Sequence, residues 1–211
     1  MTELEKIFYT SEHSSDKWQP YFEVYERHLS QFRKQDINLI EVGVQKGGSL
    51  EMWGNYFPKA KITGIDIDEE CSKLEYKNPN IQVVIGNQEQ PKFWDDFLKD
   101  KEIDVFVDDG SHSMLGQMLT FEKVFPKIKL GGVYICEDTH TSYMPGYGGG
   151  FVGRRTFTKY ARELVDILHV GWVERSRPEW LEDLTSIHFY DSMVVFEKLG
   201  KREMKNVFAT K

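Results

Sequence analysis

From Asn38 onward, short apolar runs recur along the chain, each running out into glycine, an acid or an amide. NLIEVGV (38–44), KITGIDID (61–68), IQVVIGN (81–87), IDVFVDD (103–109) and GGVYICED (131–138) have the length and composition of buried strands. Between them SLEMWGNYF (49–57), CSKLEYK (71–77), PKFWDDFLKD (91–100) and the stretch from Met114 to about Phe125 read as helices, and TFTKYARELVDILH (156–169) as a long amphipathic one. Strands alternating with helices predict a parallel, doubly wound sheet. SIHFYD (186–191) and SMVVFEKL (192–199) have only a short turn between them and predict an antiparallel hairpin at the sheet edge. The expected fold is α/β and Rossmann-like, with a mostly parallel seven-stranded sheet and a C-terminal antiparallel hairpin.

The first 36 residues are less regular and rich in aromatics. Tyr21, Phe22 and Tyr25 sit at helical spacing, which predicts a helix face covering the domain; a wall of the substrate pocket is the alternative. The chain divides as a helical cap (1–36), a main domain (37–200) and a tail (201–211). With 211 residues and a formal charge of -7, it has no Lys/Arg-dominated surface for phosphates, so nucleic acid is a poor partner. Cys71 and Cys136 make neither a zinc motif nor a disulfide framework, MTELEKIF lacks the apolar core of a signal peptide, and no apolar stretch reaches the ~18 residues that span a bilayer. The expectation is a cytoplasmic protein with no membrane partner. The aromatic N-terminal segment could support a homo-oligomer.

Candidate chemistry lies at the strand ends, where open parallel sheets bind ligands. The first strand exits into EVGVQKGGS (41–49), whose Gly43 permits a tight turn and whose Gly47 or Gly48 permits close approach of a ligand. The spacing is not the G-x-G-x-x-G of a pyrophosphate site, and Glu41 ahead of it suits an ammonium group better than phosphates. Asp66 ends the second strand, where an acid accepts from ribose hydroxyls, and GNQ (86–88) ends the third, where it can edge a planar base. The fourth and fifth strands deliver Asp108, Asp109, Glu137 and Asp138 to one small region. Four carboxylates together call for a cation, and oxygen-only ligation suits Mg²⁺, with Ca²⁺ or Mn²⁺ as alternatives. His112, three residues past Asp109, can reach the same cavity as a general base.

The order EVGVQKGGS, GIDID, GNQ, VDDGSH, FPKIKLGGVYICEDTHTSY and a terminal hairpin resembles the class I S-adenosylmethionine-dependent methyltransferases, and within them the macrocin and mycinamicin type of sugar O-methyltransferase. The resemblance runs from about Asn38 to Lys198, with an echo in SSDKWQPYFEVYE. It implies an O-methyltransferase acting on a hydroxyl of a sugar or glycosylated small molecule, with S-adenosyl-L-methionine and Mg²⁺. It implies that Glu41 and Gly43, with Gly47 and Ser49 of the same loop, hold the methionine end of the cofactor. Asp66 would hold the ribose, and Asn87 and Gln88 would lie beside the adenine; family members often have Asp where Asn87 stands. Asp109, Glu137 and Asp138 would ligate the metal, Asp108 would serve the cofactor or the scaffold, and His112 would be the general base. The rival readings are a non-haem Fe(II) oxygenase using His112, His140 and a carboxylate, and a catechol-type O-methyltransferase.

Overall fold

The structure, a computed structural model, describes residues 1–172, 178–200 and 205–209; positions 201–204 and 210–211 of the expected tail lie outside the described residues. Seven strands form one sheet: β1 (Asn38–Val42), β2 (Lys61–Asp66), β3 (Ile81–Ile85), β4 (Ile103–Asp108), β5 (Ile128–Cys136), β6 (Ser186–Tyr190) and β7 (Met193–Lys198). Their order is β3-β2-β1-β4-β5-β7-β6. The first five are parallel; β7 runs antiparallel to β5, and β6 antiparallel to β7, as the short turn requires. Strand order reverses between β1 and β4, the crevice where ligands bind in this architecture.

Helices cover both faces, and each face has its own core. Leu39, Val105, Val107, Val133 and Ile135 point to one side, against α1 (Glu3–Phe8), α2 (Tyr21–Leu29) and α3 (Gly48–Tyr56). Ile40, Val42, Phe106 and Tyr134, the alternate positions, point to the other, against α4 (Pro91–Phe97), α5 (Met114–Val124) and α6 (Phe157–Leu168). β4 is buried along its whole length, which is why IDVFVD reads as a continuous apolar run ending in an acid.

Two expected helices come out shorter. CSKLEYK contributes only to a 3₁₀ turn, Glu69–Lys73; Asp68 caps it, and Leu74 is already extended (ψ 131°) on the way to Asn78-Pro79. The helix at PKFWDDFLKD stops at Phe97. Among the described residues no helix is long and apolar enough to cross a membrane.

Candidate active site

Register and alternation assemble the site. Val42 pairs with Asp108, and Asp108 with Cys136, so β1, β4 and β5 end at one level. Glu41, Asp109 and Glu137 therefore share a parity, and all three carboxylates emerge on the α1–α3 face. Asp108 has the opposite parity. Its oxygens accept from Gln88 Nε2 (3.0 Å) and the Tyr134 hydroxyl (3.0 Å), and burial pushes its carboxyl up to about 6. Of the two duties expected of Asp108, cofactor or scaffold, its hydrogen bonds serve the scaffold, and it lies outside the cavity lining.

The cation position beside these acids holds a lysine. Lys17, in the irregular segment between α1 and α2, places Nζ 2.5 Å from Asp109 Oδ2, 3.0 Å from Glu137 Oε2 and 3.6 Å from Glu41 Oε1. Its side chain is 2% exposed. Burial alone would lower the lysine's pKa, yet Asp109 and Glu137 hold it well above the ordinary value. Glu137 is pushed well upward by burial and by Asp109, against the pull of Lys17. Its second oxygen accepts from the Tyr25 hydroxyl at 2.5 Å. Glu41, fully buried, accepts from Ser49 Oγ (2.7 Å) through Oε2 and has no hydrogen bond at Oε1.

A second group shares Asp109. The ligating atoms of Asp109, His112 and Asp138 lie within 4.8 Å of one another, with His112 Nε2 3.6 Å from Asp138 Oδ2 and 4.0 Å from Asp109 Oδ1. Asp138 escapes strand alternation because its backbone is left-handed (φ 51°), which turns it back toward His112, itself at φ 52°. Two non-glycine residues in that sparse region, facing each other, mark a place where surrounding contacts impose the geometry. Asp138 Oδ1 lies 2.7 Å from the Tyr21 hydroxyl and 3.2 Å from Trp18 Nε1, and the His112 carbonyl accepts from Thr141 Oγ1 at 2.9 Å. His112 Nδ1 is buried without a partner.

A cavity of about 710 Å³ joins this group to the glycine loop, lined by Gly43, Asp66, Asn87, Gln88, Asp109, His112 and Asp138 among others. Gly43 (φ 94°) has no substitute: a Cβ there would stand 2.0 Å from the Asp109 carbonyl oxygen. Asp66 lines the cavity while accepting from the N–H groups of Val44, Gln45 and Asp68, which outweigh its burial and hold it below the ordinary range. Ser49 lines the cavity beside Glu41. Asn87 Oδ1 accepts from the Glu89 N–H.

Two further residues of the expected cofactor set have structural tasks. Gly47 does not line the cavity: its missing Cβ leaves room for the Tyr76 hydroxyl, because the loop turns there to start α3. Gln88 lines the cavity and is also a strut, donating to Asp108 and Thr120 and accepting from the Ser111 N–H. The two-histidine iron set does not form. His140 Nδ1 bonds the Ser192 hydroxyl, and the donor group around Asp109 and Asp138 contains one histidine among the described residues.

Sequence reasoning passed over Lys17 and the hydroxyls of Tyr21 and Tyr25. Helical spacing placed both tyrosines on a packing face, and they are buried there, but no pattern says that their hydroxyls end on Asp138 and Glu137. For Lys17 the one signal is its place in SSDKWQPYFEVYE, a stretch already noted for its likeness.

No family model matches the chain. It is 35% identical over 202 residues to the 8-demethyl-8-alpha-L-rhamnosyl tetracenomycin-C 2'-O-methyltransferase of Streptomyces olivaceus, covering 88% of this chain and 52% of that protein. It is 32% identical over 157 residues to the mycinamicin VI 2''-O-methyltransferase of Micromonospora griseorubida, covering 71% and 38%. The chain thus spans about half the length, or less, of these relatives. The solved structure of the MycE methyltransferase from the mycinamycin biosynthetic pathway, in complex with Mg, SAH and mycinamycin VI, superposes with a TM-score of 0.82 at 28% identity, over 94% of this chain and 53% of that one. Likeness of sequence and of fold agree: the chain belongs to the class I S-adenosylmethionine-dependent methyltransferases, in the macrocin- and mycinamicin-type sugar O-methyltransferase family.

Proposed function

We propose that the chain carries S-adenosylmethionine- and Mg²⁺-dependent O-methyl transfer to a sugar hydroxyl of a glycosylated small molecule, with His112 as general base. The observation that carries this reading is the continuity of one cavity from the glycine loop to His112, Asp109 and Asp138. The residues present fit both groups. Glu41, fully buried and outside the cavity lining, keeps at Oε1 an acceptor without a hydrogen bond, 3.6 Å from the Lys17 ammonium and so suited to a cationic group. Asp109 Oδ1 and Asp138 Oδ2 are oxygen donors whose hard character suits Mg²⁺. In this reading Glu41, Gly43, Ser49, Asp66 and Asn87 hold the cofactor, and Asp109, Glu137 and Asp138 hold the metal.

When bound, the cofactor supplies an electrophilic methyl group, and the metal lowers the pKa of the acceptor hydroxyl. The chain supplies the rest. His112 Nε2, which faces Asp138 and Asp109 at 3.6 and 4.0 Å, takes the hydroxyl proton beside the metal position. Trp18, from the N-terminal segment, lines the cavity, and the ring of Tyr147 lies 6.4 Å from that of His112. Exposed Met144, Phe151 and Val152 in the adjoining loop offer an apolar bed for the non-sugar part of the acceptor.

The test is His112→Ala. Cofactor binding stays within about twofold while methyl transfer falls ~10²-fold or more. Unchanged turnover on a glycosylated acceptor removes His112 from the mechanism.

A further inference from the structure

Lys17 is a buried cation inside a site that is read as binding another cation. Its ammonium touches the only oxygen of Glu137 not taken by Tyr25, and the Asp109 oxygen turned away from His112. Glu41, on the cofactor side, is held by the same charge at 3.6 Å. A divalent ion ligated by Asp109 and Glu137 would sit roughly 2 Å from oxygens that Nζ already contacts. Two positive charges so close, in a setting this dry, repel strongly. The acids form two overlapping groups, Glu41–Asp109–Glu137 and Asp109–His112–Asp138, and Lys17 fills the first. The segment that carries it is irregular, tied down by Glu51 to the Glu12 and His13 N–H groups, by Ser14 to Gly48 and by Trp18 to Asp138. Nothing in its own backbone forms a helix or strand that would fix Lys17 in place.

We propose that Lys17 is the resident counter-ion of the metal-free enzyme, holding Glu41, Asp109 and Glu137 together, and that its ammonium and a divalent cation compete for the Asp109–Glu137 pair. This rests on the metal reading above. The exchange gives the protein a folded acidic centre before metal arrives and sets metal affinity below what the bare acids would give. It also links metal arrival to the segment carrying Trp18 at the cavity mouth.

Two measurements test it, with Mn²⁺ as the probe. In the wild-type protein, lysine acetylation followed by peptide mass spectrometry finds Lys17 protected without metal, and its labelling rate rises at least about tenfold when Mn²⁺ saturates the site. In Lys17→Met, calorimetry finds Mn²⁺ bound about tenfold or more tighter than in wild type, while Lys17→Arg, which keeps the charge, stays near wild type. The thermal midpoint of metal-free Lys17→Met falls and recovers on adding Mn²⁺. Lys17 remaining protected with Mn²⁺ bound, or Lys17→Met binding Mn²⁺ no more tightly, overturns the exchange and leaves the metal reading standing. Failure of wild type and variant alike to bind Mn²⁺ overturns both. The labelling experiment needs no variant and decides the matter if Lys17→Met does not fold.

Discussion

A buried charge depends on its partners, and Glu137 shows how few it has. Fully enclosed, it relies on Lys17 and the Tyr25 hydroxyl. Tyr25→Phe removes one of these without changing shape, and we expect the metal-free protein to lose ~1–3 kcal/mol in urea denaturation. No measurable loss would mean that water or Lys17 alone satisfies the carboxylate. Gly43 is constrained differently, by backbone geometry and by the Asp109 carbonyl. Gly43→Ala is expected to cost about 2 kcal/mol or more and to abolish cofactor binding, because the β1 exit and the DDGSH turn cannot both keep their places; an alanine variant with wild-type stability would contradict that packing. At this scale the sequence was informative about which acids gather and silent about what pairs them. Strand alternation separates Asp109 from Asp108, but the left-handed backbone that returns Asp138 to His112 has no signature in EDTH. Long side chains arriving from a distant irregular segment, such as Lys17, follow no period at all.

Among the elements, α2 does the most to join the N-terminal segment to the sheet. Its Tyr21 and Tyr25 reach the acids, and at its other end His28 clamps the terminal hairpin. His28 Nδ1 and His188 Nε2 lie 3.0 and 3.1 Å from the two oxygens of Glu197, and His28 Nε2 is 2.8 Å from the Tyr190 hydroxyl. Burial, with the neighbouring His188 and Arg27 adding to it, lowers the His28 pKa below its ordinary 6.5, despite Glu197. Glu197, although burial opposes it, is held below 4.5 by Ser186, His188 and His28. The signs agree. Below pH 6.5 the unfolded chain takes up a proton at residue 28 that the folded chain resists, so stability falls as pH drops toward the folded value. The contribution of Glu197 is present above 4.5 and is lost as pH falls through its lower, folded value. Asp108, raised to about 6, and Glu137 act in the opposite direction over this window, so the test is a difference. From pH 7 to pH 5.5 the urea midpoint of the wild type is expected to fall relative to that of His28→Leu, and an unchanged difference would place the acid sensitivity elsewhere. The sheet and hairpin were legible because strand and helix periods differ and the turn at Asp191-Ser192 is short. CSKLEYK misled because its composition suits a helix while its neighbours, an N-capping Asp68 and the coming Pro79, leave room for a single turn.

Over the whole molecule, the sheet brings the glycine loop and Asp66 to the same cavity as Asp109, His112 and Asp138, and the N-terminal segment adds Lys17 and Trp18 to its lining. The sequence reading favoured packing for this segment and kept a pocket wall as its alternative; Tyr21 is both buried and part of the lining, and Lys17 was not foreseen. The chain covers about half of its larger relatives, yet it contains the glycine loop, the acids and the histidine at the carboxyl ends of the central strands. Cofactor recognition should therefore be present in these residues, whatever the acceptor. Calorimetric titration of the metal-free protein with S-adenosylhomocysteine tests this most directly, since it needs no knowledge of the acceptor. The account predicts one site with a dissociation constant near ~10 μM, about 7 kcal/mol, weakened at least tenfold in Asp66→Ala. No detectable binding, with or without Mg²⁺, would contradict it.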